Sequence, residues 1–595
     1  MFMRQRSVKR ALTGLRAGLV ALVIIVAMAM TSTGASVADE EVGETVPPLP
    51  SPVVGGYLLQ GTPNFNNIQM DLVTHFFWAF SLVQNGRCST ASTNGINAVL
   101  AQRQLRPDLK VIRSIGGWGA GGFSVMSSTQ EGRETFVRSC MEAFILNGVA
   151  DGFDLDWEFP VYGGLPSIGA SPDDRINHNL LVDEFRKQLN EYADSQGRSR
   201  RDFIITAAIP AGRWQDSGDG VTGAPFDTDT SFDLRTLGRT LDHINVMTYD
   251  MGTGYSPVSM FNQPLRRHSA DPTGDPYNGG EEAIQYFEDH GVPREKMAYG
   301  TEFTLSRGFT VTTTQNNGLF QPWTSAGCGQ TTPNNAMNLN NTSIMINWDP
   351  EVESQYLWNP TTRIFCSYET PHSLYLRSKF SKDAGLNGTF SWQLTGDSLN
   401  SQLRAVALPW FPEKVVAAPA PTVTGEKFFA VRGEPFSGPV ARVTGSSAPS
   451  LTAIVNWGDV SRSAGVVTSP SAGNYTVSGT HTYGAAGRHR LTVTTIDPDP
   501  INSRMFNAEA VVWDEVSFDA LAELVEGYYQ EGALNRAQER RMHTHLATGS
   551  RLAAKGKVAQ AERLLDRALE IAADVDDDDA RTELLAMGDF LKARL

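Results

Sequence analysis

One ten-residue segment constrains the fold more than any other: DGFDLDWEFP, Asp151 to Pro160. Alternate residues of a β-strand share a face, so Asp154, Asp156 and Glu158 point one way and Phe153, Leu155 and Trp157 the other. The apolar face suits packing against helices. The acidic face then turns inward, with successive carboxyl groups only ~6.6 Å apart along the strand. Three such groups inside a fold cannot all ionise cheaply, and neighbouring like charges raise at least one pKa. A carboxylic acid that keeps its proton near neutral pH is what general acid catalysis requires. A chance acidic strand is a poor alternative, because inward-facing acids cost stability; a Mg or Ca site is the other alternative.

The surroundings of this segment suggest a (β/α)₈ barrel. Eight short apolar runs, Val53–Leu59, Val73–Leu82, Lys110–Ile115, Gly152–Trp157, Phe203–Ile209, His243–Tyr249, Lys296–Gly300 and Gly388–Trp392, alternate with helical patterns. Two such helices are expected at Arg133–Leu146 and Asn177–Tyr192, the second with Leu180, Leu181, Phe185 and Leu189 at helical spacing. Glu158 falls at the C-terminal end of strand four, where barrel enzymes place their chemistry. Phe309 to Trp358 is polar and too long for a simple loop, so it reads as an insertion between strands seven and eight.

A chain of 595 residues exceeds one hydrophobic core. Residues 1–38 read as a secretory signal peptide: Arg4, Arg6, Lys9, Arg10 and Arg16, an apolar run from Ala17 to Met30, then Ser36-Val37-Ala38. The run is short of the ~20 residues of a membrane span. Residues 39–52 and 412–425 read as linkers bounding a catalytic barrel at 53–411. Residues 426–513, with short alternating runs such as Ala453–Trp457, suggest a small antiparallel β-sandwich. Residues 514–595 read as helices broken at Gly532 and Gly556, with Asp576–Asp579 a solvated turn. The net charge of −15 argues against nucleic acid or anionic lipid as partner and is compatible with a neutral polysaccharide. Cys88, Cys140, Cys328 and Cys366 allow two disulfides in any of three pairings, or four buried thiols. They carry no zinc spacing. No cofactor or metal is expected, and a monomer is.

The acidic segment resembles the DxxDxDxE signature of glycoside hydrolase family 18, the chitinases, and other segments agree in order. Ser114-Ile115-Gly116-Gly117-Trp118 resembles the SxGG motif of strand three, and Met247-Thr248-Tyr249-Asp250 the MxYD motif of strand six. Ser171–Leu189 resembles the segment after the catalytic strand. CSYETPHSLYLRSKF followed by LNGTFSWQLTGDS resembles the end of the barrel, with Trp392 on strand eight. The match spans about Val53 to Phe411.

This resemblance implies a secreted enzyme that cuts chitin or N-acetylglucosamine oligosaccharides with retention, the substrate's own 2-acetamido oxygen acting as nucleophile. Glu158 would protonate the glycosidic oxygen. Asp156 would orient the acetamido N–H, Asp154 would share a proton or hydrogen bond with Asp156, and Tyr249 would bond the acetamido oxygen. Asp250 would help hold the sugar, Trp392 would form its floor, and Met247 would line the pocket. Trp118, Trp214 and Trp323 are candidates to extend the cleft. Gly116 and Gly117 read as structural. The family's Tyr-Gly-Arg turn after strand seven is missing from YGTEFTLSRGF, where Arg307 is the candidate for the arginine, and Phe159 replaces the commoner Tyr. VNWGD and GTHTYGAAGRHRLTVT resemble a PKD-type immunoglobulin-like spacer domain with Trp457 in its core and Asp459 fixing a turn. The tail weakly resembles the FIMAH domain of bacterial secreted proteins. Two readings compete with a chitinase: an endo-β-N-acetylglucosaminidase acting on glycoprotein glycans, and a chitin-binding lectin without activity.

Overall fold

The computed structural model describes residues 45–49, 52–59, 61–165, 168–211, 226–303, 307–328, 344–397, 401–415, 421–446, 450–497 and 499–595. The expected signal peptide, Trp214 and parts of both expected linkers lie outside them. Within 45–49, the expected exposed linker is not free. Val46 is buried and donates its N–H to the Arg239 carbonyl at 2.7 Å, and Arg201 donates to the carbonyls of Pro47 and Pro48.

Eight parallel strands close into a barrel in chain order: β1 (Val53–Leu59), β2 (His75–Ser81), β3 (Lys110–Gly116), β4 (Gly152–Asp156), β5 (Ile204–Pro210), β6 (His243–Met247), β7 (Met297–Glu302) and β8 (Gly388–Trp392). Parallel strands covered on both faces must be nearly continuous apolar runs, which is why the sequence located all eight. Six of the eight differ from the expected ranges by one or two residues at an end, and two of these differences bear on the site. β4 stops at Asp156 and β6 at Met247, so Glu158, Tyr249 and Asp250 stand on the loops that follow.

On the outer face of β4, Phe153 packs on Phe185 at 4.9 Å, and Trp157, just beyond the strand, stacks on Phe123 at 5.1 Å. Phe185 belongs to the helix Asp174–Ser195, whose core stripe is Leu181, Phe185 and Leu189. Leu180 does not share it and is exposed, being about a quarter-turn away. The other expected helix forms over Gln130–Cys140 and continues as a π-helical turn, Met141–Ile145.

The insertion between β7 and β8 is a five-stranded antiparallel sheet, in the order Trp323–Ala326, Arg307–Val311, Ile364–Tyr368, Ser354–Asn359, Met345–Asp349. It outruns the expected Phe309–Trp358 at both ends. Its apolar residues, including Phe309, Val311, Trp358 and Phe365, form a core of their own. Disulfides join Cys88 to Cys140 and Cys328 to Cys366.

Eight further strands between Thr422 and Trp513 surround a core that contains Trp457 and Tyr483. Thr422–Gly425, inside the expected linker, is one of them. The expected all-antiparallel pattern fails at one pair, because Lys427–Val431 runs parallel to Arg504–Trp513. Asp459 does fix its turn, accepting from Ser461 at 2.5 Å and meeting His481 Nε2 at 2.7 Å.

Four helices follow: Phe518–Gln530, Arg536–Ala553, Val558–Ala573 and Asp578–Lys592. Gly532 and Gly556 take positive φ at two of the breaks, a conformation that glycine adopts without penalty. The helices share a core with Val431, Val511 and Trp513 of the preceding strands. Buried Glu583 accepts from Tyr528 Oη at 2.7 Å and Trp513 Nε1 at 3.0 Å. Glu583→Ala leaves both donors without that acceptor, and thermal unfolding of the full chain should report a loss of roughly 2–4 kcal/mol.

Candidate active site

At the C-terminal ends of the barrel strands lies a cleft of about 1230 Å³, lined by Asp156, Glu158, Met247, Tyr249, Asp250, Arg307 and Trp392, among others. The acidic face of β4 leads into it. Asp154, deepest of the three acids, is wholly buried and accepts four hydrogen bonds from four other strands. Tyr57 of β1 and Ser114 of β3 donate to Oδ2 at 2.8 and 2.7 Å. Thr206 of β5 and Asn245 of β6 donate to Oδ1 at 2.6 and 3.3 Å. Burial raises the Asp154 pKa, and the four bonds oppose that rise.

These bonds occupy Asp154 on both oxygens, so the expected proton-sharing with Asp156 is not the arrangement formed. Asp156 Oδ1 is buried and has no hydrogen-bond partner among the described residues. Burial, then the charges of Glu158 and Asp154, push the Asp156 pKa well above the carboxylate range. Glu158 is partly exposed to the cleft. Desolvation and the charge of Asp250 push it up to about 8. Among the described residues, none of these three acids is in an ion pair.

The loop after β6 supplies the opposite wall. Tyr249 lies beside Phe390 of β8, ring centroids 6.1 Å apart, and its hydroxyl faces the acids closely enough that burial and Asp156 raise its pKa. Asp250 takes a left-handed conformation, φ 57°, which Asp tolerates better than most residues. Its carboxylate holds Arg307 through Nε at 2.7 Å and Nη2 at 3.2 Å. The missing Tyr-Gly-Arg turn is thus replaced by an arginine from the first strand of the insertion.

Trp392 ends β8 at the cleft floor, 5.8 Å from Phe80 and stacked on it. Trp118 is half-exposed at the rim, 6.2 Å from the equally exposed Tyr255. Trp323 does not line the cleft: it packs on Phe309 and donates Nε1 to the Ser256 carbonyl at 2.9 Å. Gly116 acts structurally. Its φ is 120°, and a Cβ there would lie 2.0 Å from the Asp156 carbonyl oxygen.

Of the residues that surround Asp154, sequence reasoning singled out Ser114, within its motif, and missed Tyr57, Thr206 and Asn245. The period-two rule that located the acids also turns Asn245 inward, two residues before Met247, and Thr206 inward on β5. It missed Tyr255, Asn262 and Glu302 as well, and no motif marks them.

A model for the glycosyl hydrolases family 18 matches residues 54–397, more than half of the chain. The chain belongs to family 18. A FIMAH domain model matches residues 518–593, the four helices of the tail. Chitinase A1 of Niallia circulans is 29% identical over 374 residues, covering 60% of this chain and 49% of that protein. Chitotriosidase-1 of Mus musculus is 25% identical over 387 residues, covering 61% and 78%. The chain therefore spans about half the length of the Niallia relative. Among solved structures, a family 18 N-acetylglucosaminidase from Paenibacillus barengoltzii matches with TM-score 0.52 and 27% identity, covering 60% of this chain and all of that one.

The acids differ in what their removal should cost. Asp154→Ala strands four donors inside the barrel and should destabilise by roughly 3 kcal/mol or more. Asp156→Ala removes a desolvated carboxyl with an unpaired oxygen and should cost less than about 1 kcal/mol. Denaturant unfolding of the two variants side by side checks the order.

Proposed function

We propose that the chain is a secreted chitinase that hydrolyses β-1,4 linkages between N-acetylglucosamine units by a retaining, substrate-assisted mechanism. The observation that carries this reading is the pairing of Glu158, a carboxyl held protonated near neutral pH, with Asp156, whose inner oxygen awaits a donor. Glu158 protonates the glycosidic oxygen as the bond to it breaks. The acetamido oxygen of the same sugar closes on the anomeric carbon, so no enzyme nucleophile is needed. The acetamido N–H then donates to Asp156 Oδ1, which orients the group for attack on the anomeric carbon. Tyr249 donates to the acetamido oxygen and keeps it in line. Glu158, now a carboxylate, takes a proton from the water that opens the oxazolinium with retention. Asp154, fixed as an acceptor, keeps negative charge beneath Asp156 throughout. Asp250 and Arg307 hold the sugar, Met247 lines its pocket, and Trp392 stacks on its apolar face.

The basic, apolar and small-residue pattern of residues 1–38 supports export, and the acidic charge supports a neutral polymer as substrate. The core position of Trp457 supports a PKD-type domain between barrel and tail. A monomer is the proposed form.

Soluble chitin oligomers and a high-mannose glycopeptide, incubated in parallel with the protein and followed by product sizing, test the substrate. Cleavage of the oligomers is expected; cleavage of the glycopeptide alone would overturn the choice. Glu158→Gln should lower kcat by about 10³-fold or more while leaving the fold intact. A fully active variant refutes the acid assignment.

The pH dependence follows from the raised pKa. Turnover requires protonated Glu158, so kcat should fall as pH rises through about 8. Stability shares the sign, because a carboxyl whose folded pKa is raised contributes least above that pKa. Glu158→Gln should therefore melt above the wild type at pH 9 and level with it at pH 4. Asp250→Asn removes the neighbouring charge and should move the alkaline limb toward lower pH, read from the kcat profile of the residual activity.

A further inference from the structure

Behind Asp250 and Arg307, away from the cleft lining, lies a buried side-chain ring that none of the family motifs includes. Asn262 and Glu302 are each 1% exposed. Asn262 Oδ1 accepts the backbone N–H of Asp250 at 3.0 Å, and its Nδ2 donates to Glu302 Oε2 at 2.6 Å. Glu302 Oε1 has no hydrogen-bond partner among the described residues and lies 3.8 Å from Arg307 Nη2. Arg307 closes the ring on the Asp250 carboxylate. Neighbouring bonds lock it from outside. Gln263 accepts from Glu302 N at 2.9 Å, Asn262 N donates to Ser367 Oγ at 3.1 Å, and Met251 N donates to the Asn262 carbonyl at 3.1 Å.

We propose that Asn262 and Glu302 are positioning residues that hold Asp250 in its left-handed backbone conformation and hold the Arg307 guanidinium against it. The inference rests on the proposed reading of the cleft as a sugar site, which it deepens. Asp250 follows the end of β6, and nothing in a strand end imposes a positive φ. Asn262 supplies the reason: its amide takes the Asp250 N–H that this turn aims away from the barrel sheet, and its other end is tied to the last residue of β7. The ring therefore connects two barrel strands and the insertion through one side chain. Arg307 comes from the insertion, so its alignment with Asp250 depends on an element that the barrel does not position. Glu302, on the barrel, faces the guanidinium from the side opposite the cleft and fills that role. A buried carboxyl with one oxygen lacking a hydrogen bond among the described residues costs stability, as is usual for groups kept for a site.

The test uses the full chain with Asn262→Ala, Glu302→Ala and Glu302→Gln. Residue-resolved hydrogen exchange needs no ligand. The Asp250 and Met251 amides should exchange about tenfold faster or more in Asn262→Ala and Glu302→Ala, with β1 and β2 amides unchanged, and Glu302→Gln should recover at least about half of that protection. Unchanged exchange in both alanine variants overturns the clamp. With chitin tetramer, each alanine variant should lose about tenfold in kcat/KM, yet adding Glu302→Ala to Asp250→Asn should cost less than about twofold more. Fully additive losses would mean that Glu302 acts elsewhere. Should Glu302→Ala not fold, Asn262→Ala and Glu302→Gln carry both readouts. Should the wild type cleave no oligomer, the chitinase reading falls, and the exchange measurement alone still decides for or against the clamp.

Discussion

Four hydroxyl and amide donors, from β1, β3, β5 and β6, converge on the carboxylate of Asp154 at the centre of the barrel. A carboxylate out of water must be solvated by the fold, and here the fold does so from four strands at once. The other features of the site follow from that anchor. With both oxygens occupied, Asp154 remains an acceptor, and its charge raises the cost of ionising Asp156 directly above it. Glu158 adds to the cost of ionising Asp156, and burial with the charge of Asp250 does the same for Glu158. The proton that hydrolysis needs is thus retained by burial and neighbouring negative charge, and the Arg307 guanidinium of the same cleft is engaged by Asp250. Barrel closure is essential to this arrangement, because an open sheet would admit water to one side of the acids and relax the effect.

The backbone around these acids is shaped for close approach. Gly116 lets the end of β3 pass against the Asp156 carbonyl, which also accepts the N–H of Gly117 at 2.8 Å. Gly300 of β7 leaves room for the Tyr249 ring, whose Cε1 would lie 3.0 Å from a Cβ at that position. The strand ends are therefore narrow, and the chemistry is carried on the residues just past them. Glu158, Tyr249 and Asp250 all stand on loops, yet each is within three residues of a barrel strand, so the loops inherit the precision of the barrel.

This division explains what could be read in advance. Period-two alternation and apolar runs are properties of single strands, so all eight strands and the inward face of β4 were legible, as were the motif residues Trp118, Met247 and Trp392. The pairing of Asp250 with Arg307 spans 57 residues, and the ring through Asn262 and Glu302 joins the loop after β6, the end of β7 and the insertion. Contacts of that kind depend on where separate elements meet, and no local pattern encodes the meeting. Trp323 makes the same point in reverse: it was a candidate to extend the cleft, and the insertion sheet holds it elsewhere. The linkers misled because Pro and Ala content describes a chain's stiffness and says little of whether it packs, as Val46 and the strand Thr422–Gly425 demonstrate.

The insertion sheet makes the C-terminal strands relevant to the cleft. At one side of this sheet, Arg307, Gly308, Ala326 and Gly327 line the cleft. At its far edge, Met345–Asp349 rests on the sandwich: Asn456 donates to the Ile346 carbonyl, and Met505 packs among Ile346, Trp348 and Leu357. Arg404, in a helix after β8, pairs with Asp499 through two bonds of 2.8 and 2.7 Å. A flexible spacer would make no buried contact with the unit that it carries. Here one continuous sheet runs from the sandwich contact to the arginine opposite Asp250, and the sandwich core continues into the helical tail through Trp513 and Glu583. Interiors packed at this density transmit displacement rather than absorb it. The position of Arg307 is thereby set from two directions, by the ring beneath it and by the sheet that the sandwich braces.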